Sequence, residues 1–139
     1  MATNFLQFKV AMRQEVMATR EEANRFKQFL GLELLRSIIN RTPVKTGAAR
    51  ANWQVGIGTP IASVTSRKDK NGVETILKGR HQMAAVQAGQ TIWLSNNLPY
   101  ILVLENGSSI LAPAGMVQQA LELLSARYGH MKEVPKNYA

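Results

Sequence analysis

The chain contains no cysteine and two histidines, His81 and His130. Without cysteine it has no disulfide, no thiolate metal site and no cysteine nucleophile. A general acid–base pair requires two groups within hydrogen-bond reach, and neither histidine lies in a recognisable catalytic setting. Neither an HxxxH nor an HxH spacing occurs, so no histidine metal site is expected. The sequence therefore predicts a protein that is not an enzyme and holds no metal or cofactor.

Long hydrophobic runs are also missing. No stretch reaches the roughly eighteen apolar residues that a membrane span requires. Polar residues such as Lys9 and Arg13 interrupt the first twenty residues, which do not form the apolar core of a signal peptide. We therefore expect that the chain is synthesised in the cytosol and does not associate with a membrane. The 139 residues suit one domain, residues 1–139, with a modest core.

Acidic residues are scarce in one part of the chain. The formal net charge is +8, and residues 36–80 carry nine basic side chains but two acidic ones, a local charge of +7. Such a field favours a polyanion, either nucleic acid or an acidic protein surface. The alternative is a solvated basic surface with no charged partner.

Two apolar stripes with helical spacing begin the chain. The first consists of Phe5, Phe8, Met12 and Val16, and the second of Ala23, Phe26, Leu30, Leu34 and Ile38. Residues 4–40 are compatible with one helix or two. Thr19 and Glu22 have the spacing of a capping box, which favours two helices with a break near Thr19. Pro43 is expected to end the second helix, because the residue before proline avoids the helical conformation.

The middle of the chain has strand patterns. Residues 51–57 alternate as in a half-buried strand, and residues 91–95 form the most apolar strand pattern. Asn71-Gly72 is a hairpin signal between residues near Val64 and a returning strand at residues 73–77. These patterns predict a projecting hairpin arm over residues 64–76, whose tip carries basic side chains. They are Arg67, Lys68 and Lys70.

The last third predicts one helix, residues 116–128, stopped by Gly129. Residues 99–105 are compatible with helix or strand. The order of helices, strands and helix indicates an α+β fold. We expect N-terminal helices, a small antiparallel sheet with a projecting hairpin, and a C-terminal helix.

The segment between the second helix and the first strand has a structural rationale. Gly47 is expected to have a positive φ where the chain reverses, and Thr46 to bond its own backbone in the turn. Arg50 would emerge at the start of the strand that carries Trp53. We expect Trp53 to pack in the core against the helix with Phe26, Leu30 and Leu34, and Trp93 to lie in the core as well.

Two segments resemble a known family. Residues 42–53, TPVKTGAARANW, and residues 97–108, NLPYILVLENGS, are similar in that order to the tail-completion (neck, or putative tail-component) family of tailed bacteriophages. The resemblance implies a structural virion protein that joins the tail end to the head-closure ring around the DNA channel. It implies closed rings of six or twelve copies, neighbouring neck and tail proteins as partners, and host cytoplasm during assembly. The chain departs from the family pattern after Gly107, where the usual aromatic residue is missing.

The resemblance also directs attention to charged residues at interfaces. Arg50 and Glu105 belong to the two segments, and we expect them to be paired or interfacial. The hairpin tip is expected to contact an adjacent ring or subunit, or DNA in the channel without sequence specificity. Two alternatives remain, a tail terminator ring that caps the tail tube and a basic DNA-binding module.

Overall fold

The structure, a computed structural model, describes residues 6–10, 20–106 and 115–129. Within these ranges, three strands and five helices occur along the chain. They are β1 (Leu6–Val10), α1 (Arg20–Arg41), α2 (Ala48–Ala51), β2 (Gln54–Ile57), α3 (Val73–Met83), β3 (Ile92–Asn96), α4 (Ile101–Glu105) and α5 (Met116–Tyr128). The strands form one antiparallel sheet with helices beside it. The predicted α+β class is therefore confirmed.

The long helix α1 agrees closely with its sequence signals. It begins at Arg20, directly after the predicted break, with Glu21 and Glu22 in its first turn. Negative charge is favourable there because the helix dipole is positive at that end. The helix ends at Arg41, two residues before Pro43, as predicted. Thr19, the predicted cap, lies outside the described residues.

The predicted N-terminal helix is wrong for residues 6–10, which form β1. This segment also alternates apolar and polar residues, a pattern that suits a strand as well as a helix. Its five residues pair with β3 from Leu6↔Asn96 to Val10↔Ile92. The edge of β3 thus supplies backbone hydrogen bonds that sequence periodicity cannot reveal. The rest of the predicted helix, including Phe5, Met12 and Val16, lies outside the described residues.

The sheet has the order β1-β3-β2, so β3 is its central strand. Val55, Ile92 and Leu94 are buried on the sheet face that meets the core. Both α3 and α5 pack against α1, and α3 also packs against β2. The apolar core therefore lies between the sheet and these helices, and the predicted strand at residues 91–95 is confirmed as β3.

The predicted hairpin arm over residues 64–76 is wrong. Residues 61–69 form neither helix nor strand, and α3 begins at Val73 after Gly72, whose φ is 78°. The Asn-Gly pair therefore turns the chain into a helix. Thr75, Gly79 and Met83 recur at four-residue spacing on the buried face of α3, so packing against α1 and β2 favours helix over strand.

The remaining elements complete the core. Residues 99–105, whose sequence is compatible with helix or strand, contain the short helix α4, and its Ile101 is fully buried. The final helix occurs where it was predicted, as α5, with Met116 and Ala120 fully buried. Gly129 follows its last residue.

Candidate functional site

Two loops meet beside the end of α1, and we call residues 42–50 and 67–72 together the loop junction. Gly47, at its centre, has a φ of 90°. Its carbonyl accepts a 3.0 Å hydrogen bond from the amide of Asp69. A Cβ on residue 47 would lie 2.7 Å from the amide nitrogens of Asp69 and Lys70. Both the backbone conformation and the close approach require glycine, and the positive φ predicted for Gly47 is confirmed.

The first loop of the junction follows its predicted course with one difference. The Thr46 hydroxyl oxygen accepts a 3.2 Å hydrogen bond from the Ala48 amide, which is the expected local turn. The following residues 48–51 are helical, and β2 begins only at Gln54. Arg50 therefore lies on the short helix α2 and not at the start of a strand, because the turn at Gly47 directs the chain into one helical turn first.

Arg50 joins the backbone of residues 40–42, where α1 ends, to that of Lys70 on the second loop. Its Nε donates to the Thr42 carbonyl at 2.9 Å, Nη1 to the Lys70 carbonyl at 2.9 Å and Nη2 to the Asn40 carbonyl at 3.4 Å. Burial lowers the pKa of the guanidinium, and the negative charge of Asp69 opposes part of that shift. The planar fork of arginine suits several acceptors at once. Arg50 is thus a clamp on carbonyl groups.

The predicted pairing of Arg50 with Glu105 is wrong. The Glu105 carboxylate accepts hydrogen bonds from the amides of Val117 at 2.9 Å and Gln118 at 3.3 Å, in the first turn of α5. A carboxylate is favoured there by the unsatisfied amides and by the helix dipole. Arg50 and Glu105 therefore form their hydrogen bonds with two separate stretches of backbone. A prediction that pairs opposite charges in the sequence does not consider backbone groups as partners.

Asp69 organises the second loop of the junction, a role that the sequence analysis missed. Its side chain accepts from the Gly72 amide at 3.1 Å, the Thr75 amide at 2.8 Å and the Thr75 hydroxyl at 2.7 Å. Burial raises the pKa of Asp69, but these hydrogen bonds and the charge of Arg67 outweigh it and lower the pKa overall. An acidic residue shortly before a helix is a sequence signal for such a cap. It could not be recognised here because residues 73–77 were predicted as a strand.

Trp53 connects the loop junction to the core. It is 2% exposed and belongs to the apolar cluster that contains Leu34, with Leu30 packed against the cluster. Its Nε1 donates to the Thr42 hydroxyl at 2.9 Å, and that hydroxyl donates to the Ile38 carbonyl at 2.7 Å. The predicted core position of Trp53 is confirmed. Phe26 is buried outside this cluster.

Residues 61–65, which we call the arm, are held by polar side chains along alternate carbonyls. Asn52 and Gln54 donate to the carbonyls of Thr65 and Ser63, and Asn52 also accepts from the Thr65 amide. On the other side, Ser95 donates to the Ile61 carbonyl, and Asn97 donates to those of Ile61 and Ser63. The arm therefore keeps a fixed course without joining the sheet. None of these four residues was identified from the sequence.

Beside the arm, Trp93 has a less buried position than expected. Its ring is half-buried, and Nε1 donates to the carbonyl of exposed Gly58 at 3.1 Å. Trp93 pairs with Gly56 in the sheet, on the opposite face from Val55 and Leu94. The alternation of the strand therefore places one tryptophan at the rim of the fold and not in its core.

A groove of about 470 Å³ runs along the first loop of the junction. Residues 43–49 line one wall, and Tyr100 and Leu104 line the other. Tyr100 is 43% exposed. The Asn96 side chain donates to the Ala49 carbonyl at 3.0 Å and holds the two walls together. The structure thus brings the two segments that carry the family resemblance into one groove, with Pro43 and Gly47 in its lining.

The basic side chains predicted for the hairpin tip lie on the second loop of the junction. Arg67 forms an ion pair of 3.6 Å with Glu74, whose side chain is 76% exposed. Such an exposed pair contributes little to stability. Lys68 and Lys70 are exposed, as is Lys45 on the first loop. Lys45, which the sequence did not connect with this cluster, thus lies on the loop that contacts the second loop through the bond from the Asp69 amide to the Gly47 carbonyl.

Within residues 6–10, 20–106 and 115–129, no three histidine, aspartate or glutamate side chains converge as metal ligands. His81 is exposed on α3, and His130 lies outside these ranges. In the same part of the chain, no helix combines the length and the apolar character needed to cross a membrane.

Comparison with protein families, curated proteins and solved structures gave no match to this chain.

Proposed function

We propose that the chain is a structural protein of the head–tail neck of a tailed bacteriophage. It completes the tail end and joins it to the head-closure ring around the DNA channel. The observation that carries the proposal is the groove, because residues 43–49 of one segment form one wall and Tyr100 and Leu104 of the other form the second. The segments resemble the tail-completion family separately in sequence, and they act as one surface in the fold.

The chemistry of the loop junction supports a structural role. The charged groups of Arg50 and Asp69 are bonded mainly to backbone groups, and the side chain of Asn52 is bonded to backbone alone. Such bonds fix the course of the loops, so these polar groups stabilise the fold. A junction that is rigid before assembly reduces the ordering cost of docking.

The neck protein forms a closed ring by heterologous contacts, in which one surface of each copy docks on a different surface of the next. We assign the groove to one side of this contact. Its lining is largely apolar, and Tyr100 offers a large aromatic side chain of the type enriched in interfaces. The virion is the site of action, and the host cytoplasm is the site of assembly.

The test uses a phage that lacks the gene and is complemented by variants. Tyr100→Glu should leave the melting temperature within a few degrees of the wild type while heads and tails fail to join. Leu121→Glu is the matched control, because Leu121 is similarly exposed at 46% but lies on α5 and does not line the groove. Complementation by Tyr100→Glu, or equal failure of both folded variants, would contradict the role of the groove.

Electron microscopy of the complemented particle tests the location. A ring of this protein between the head-closure ring and the tail supports the proposal. A ring at the end of a free tail tube, absent from the neck, would instead identify a tail terminator. One or two copies per particle, or an isologous dimer, would overturn the ring.

A further inference from the structure

We propose that Lys45, Lys68 and Lys70 together form a binding surface for the phosphate backbone of duplex DNA. Lys45 comes from the first loop of the junction, and the other two flank Asp69 on the second. The Asp69 amide bonds the Gly47 carbonyl at 3.0 Å, so the two loops run side by side. All three lysines are exposed. Cations that lie up to 25 residues apart in sequence are thus exposed on two loops in direct backbone contact.

Neighbouring acidic groups do not neutralise this surface. The Asp69 side chain is turned inward, is 7% exposed and is bonded to Gly72 and Thr75. The nearby Glu74 pairs with Arg67. Among the described residues, no carboxylate forms an ion pair with Lys45, Lys68 or Lys70. The loop junction therefore presents three unpaired positive charges to solvent.

The arrangement suits the backbone of a nucleic acid. Lysine ammonium groups act as point charges and bind phosphate without the fork geometry that reads a base edge. The charges lie on loops and not on a helix that could enter the major groove, so the binding is independent of sequence. Arg50 and Asp69 fix the two loops through their backbone, and the lysines are presented with little loop ordering left to occur on binding.

This inference goes beyond the neck proposal and does not depend on it, because it concerns the isolated chain, in which Lys45 is exposed at the edge of the groove that the ring contact would cover. Binding is measured by fluorescence anisotropy with a labelled duplex of mixed sequence at several salt concentrations. Three phosphate contacts contribute a slope of about −2.7 to log K against log salt, or roughly a 40-fold loss of affinity between 50 and 200 mM salt.

The variant that tests the surface is Lys45→Gln/Lys68→Gln/Lys70→Gln. Its salt slope should be shallower than the wild-type slope by about 2.7, since three phosphate contacts are lost. A second duplex of unrelated sequence should give the same affinities. Because the three side chains are exposed, the melting temperature should stay close to that of the wild type.

The matched control is Arg20→Gln/Arg25→Gln/Arg127→Gln, which removes the same charge at exposed positions outside the loop junction. Arg25 lies about 24 Å along the helix from Arg41, at 1.5 Å per residue. The Tyr128 ring, next to Arg127, is 5.0 Å from the ring of Phe29, which lies about 18 Å along α1 from Arg41. The control should keep the wild-type slope. Equal weakening by both triple variants, no weakening by either, or binding of polyglutamate without binding of duplex would overturn the proposal.

Discussion

Lys27 lies in the first half of α1 and Arg50 lies beside its end, and each bonds backbone carbonyls of a connecting segment. Lys27 donates to the carbonyls of Gln87 and Gln90. We call residues 83–90, which comprise the last residue of α3 and the segment that follows it, the 83–90 connection. Asn24 and Gln28 donate to two more of its carbonyls. Arg50 does the same for the loop junction. One kind of bond thus fastens both ends of α3.

The surroundings of the two cations differ. Lys27 is 5% exposed, and burial alone lowers its pKa. Burial also lowers the pKa of Arg50, but the nearby charge of Asp69 opposes it, and a guanidinium stays protonated throughout the accessible pH range. In the loop junction, the permanent positive charge of Arg50 is therefore partly compensated by the negative charge of Asp69. The 83–90 connection depends on a buried charge without such compensation, and it should be the weaker and more pH-sensitive of the two.

The largest effect is expected where the loop junction meets the core. Trp53→Ala should lower the free energy of unfolding by about 3–5 kcal/mol, because it removes a buried ring and leaves the Thr42 hydroxyl without its donor. Trp93→Ala, at a half-buried position on the opposite sheet face, should cost clearly less. Urea unfolding of both variants measures the difference. Equal losses would show that Trp53 does not couple the junction to the core.

Replacement of each cation by methionine compares the two regions directly. Arg50→Met should cost about 2–3 kcal/mol, because three carbonyls lose a charged donor and Asp69 loses its nearby positive charge. Lys27→Met should cost about 1 kcal/mol or less, because removal of a buried charge offsets part of the lost hydrogen bonding. The same unfolding measurements apply. A loss for Lys27→Met as large as that for Arg50→Met would remove the distinction.

The pH dependence of stability sharpens the comparison further. The pKa of Lys27 is lowered from 10.5 in the folded state, so between the folded pKa and 10.5 the unfolded chain binds more protons. Stability from this group therefore rises as pH increases through that window. The stability of the wild type relative to Lys27→Met should increase toward pH 10.5, whereas that relative to Arg50→Met should stay flat. A falling or level difference for Lys27→Met would contradict the buried-charge account.

Sequence patterns predicted the elements whose local signals agree with their packing. Helix α1 has charged residues at its start and a proline after its end, and β3 is the most apolar short run. The strand β1 and helix α3 were missed because their sequences fit both periods. In each case a tertiary partner decided the outcome, the edge of β3 for residues 6–10 and the packing against α1 and β2 for α3.

The candidate site was predictable at Gly47, where the chain reversal requires a positive φ. Its polar residues were not, because Arg50 and Asn52 bond backbone groups of distant segments, and Asp69 bonds the start of a helix that was predicted as a strand. Every residue has backbone hydrogen-bonding groups, so sequence alone does not indicate which of them a polar side chain will bond. The same reason explains why the pairing of Arg50 with Glu105 was wrong.

The smallest effect is expected for His81→Ala. His81 is exposed near the end of α3, the helix that runs from the loop junction to the 83–90 connection. An exposed side chain away from caps and networks usually changes stability by less than about 0.5 kcal/mol. The variant should therefore unfold like the wild type, and it should complement a phage that lacks the gene if the protein acts through its surfaces alone. A folded His81→Ala variant without infectivity would give the histidine a role in chemistry, and the structural proposal would then have to be abandoned.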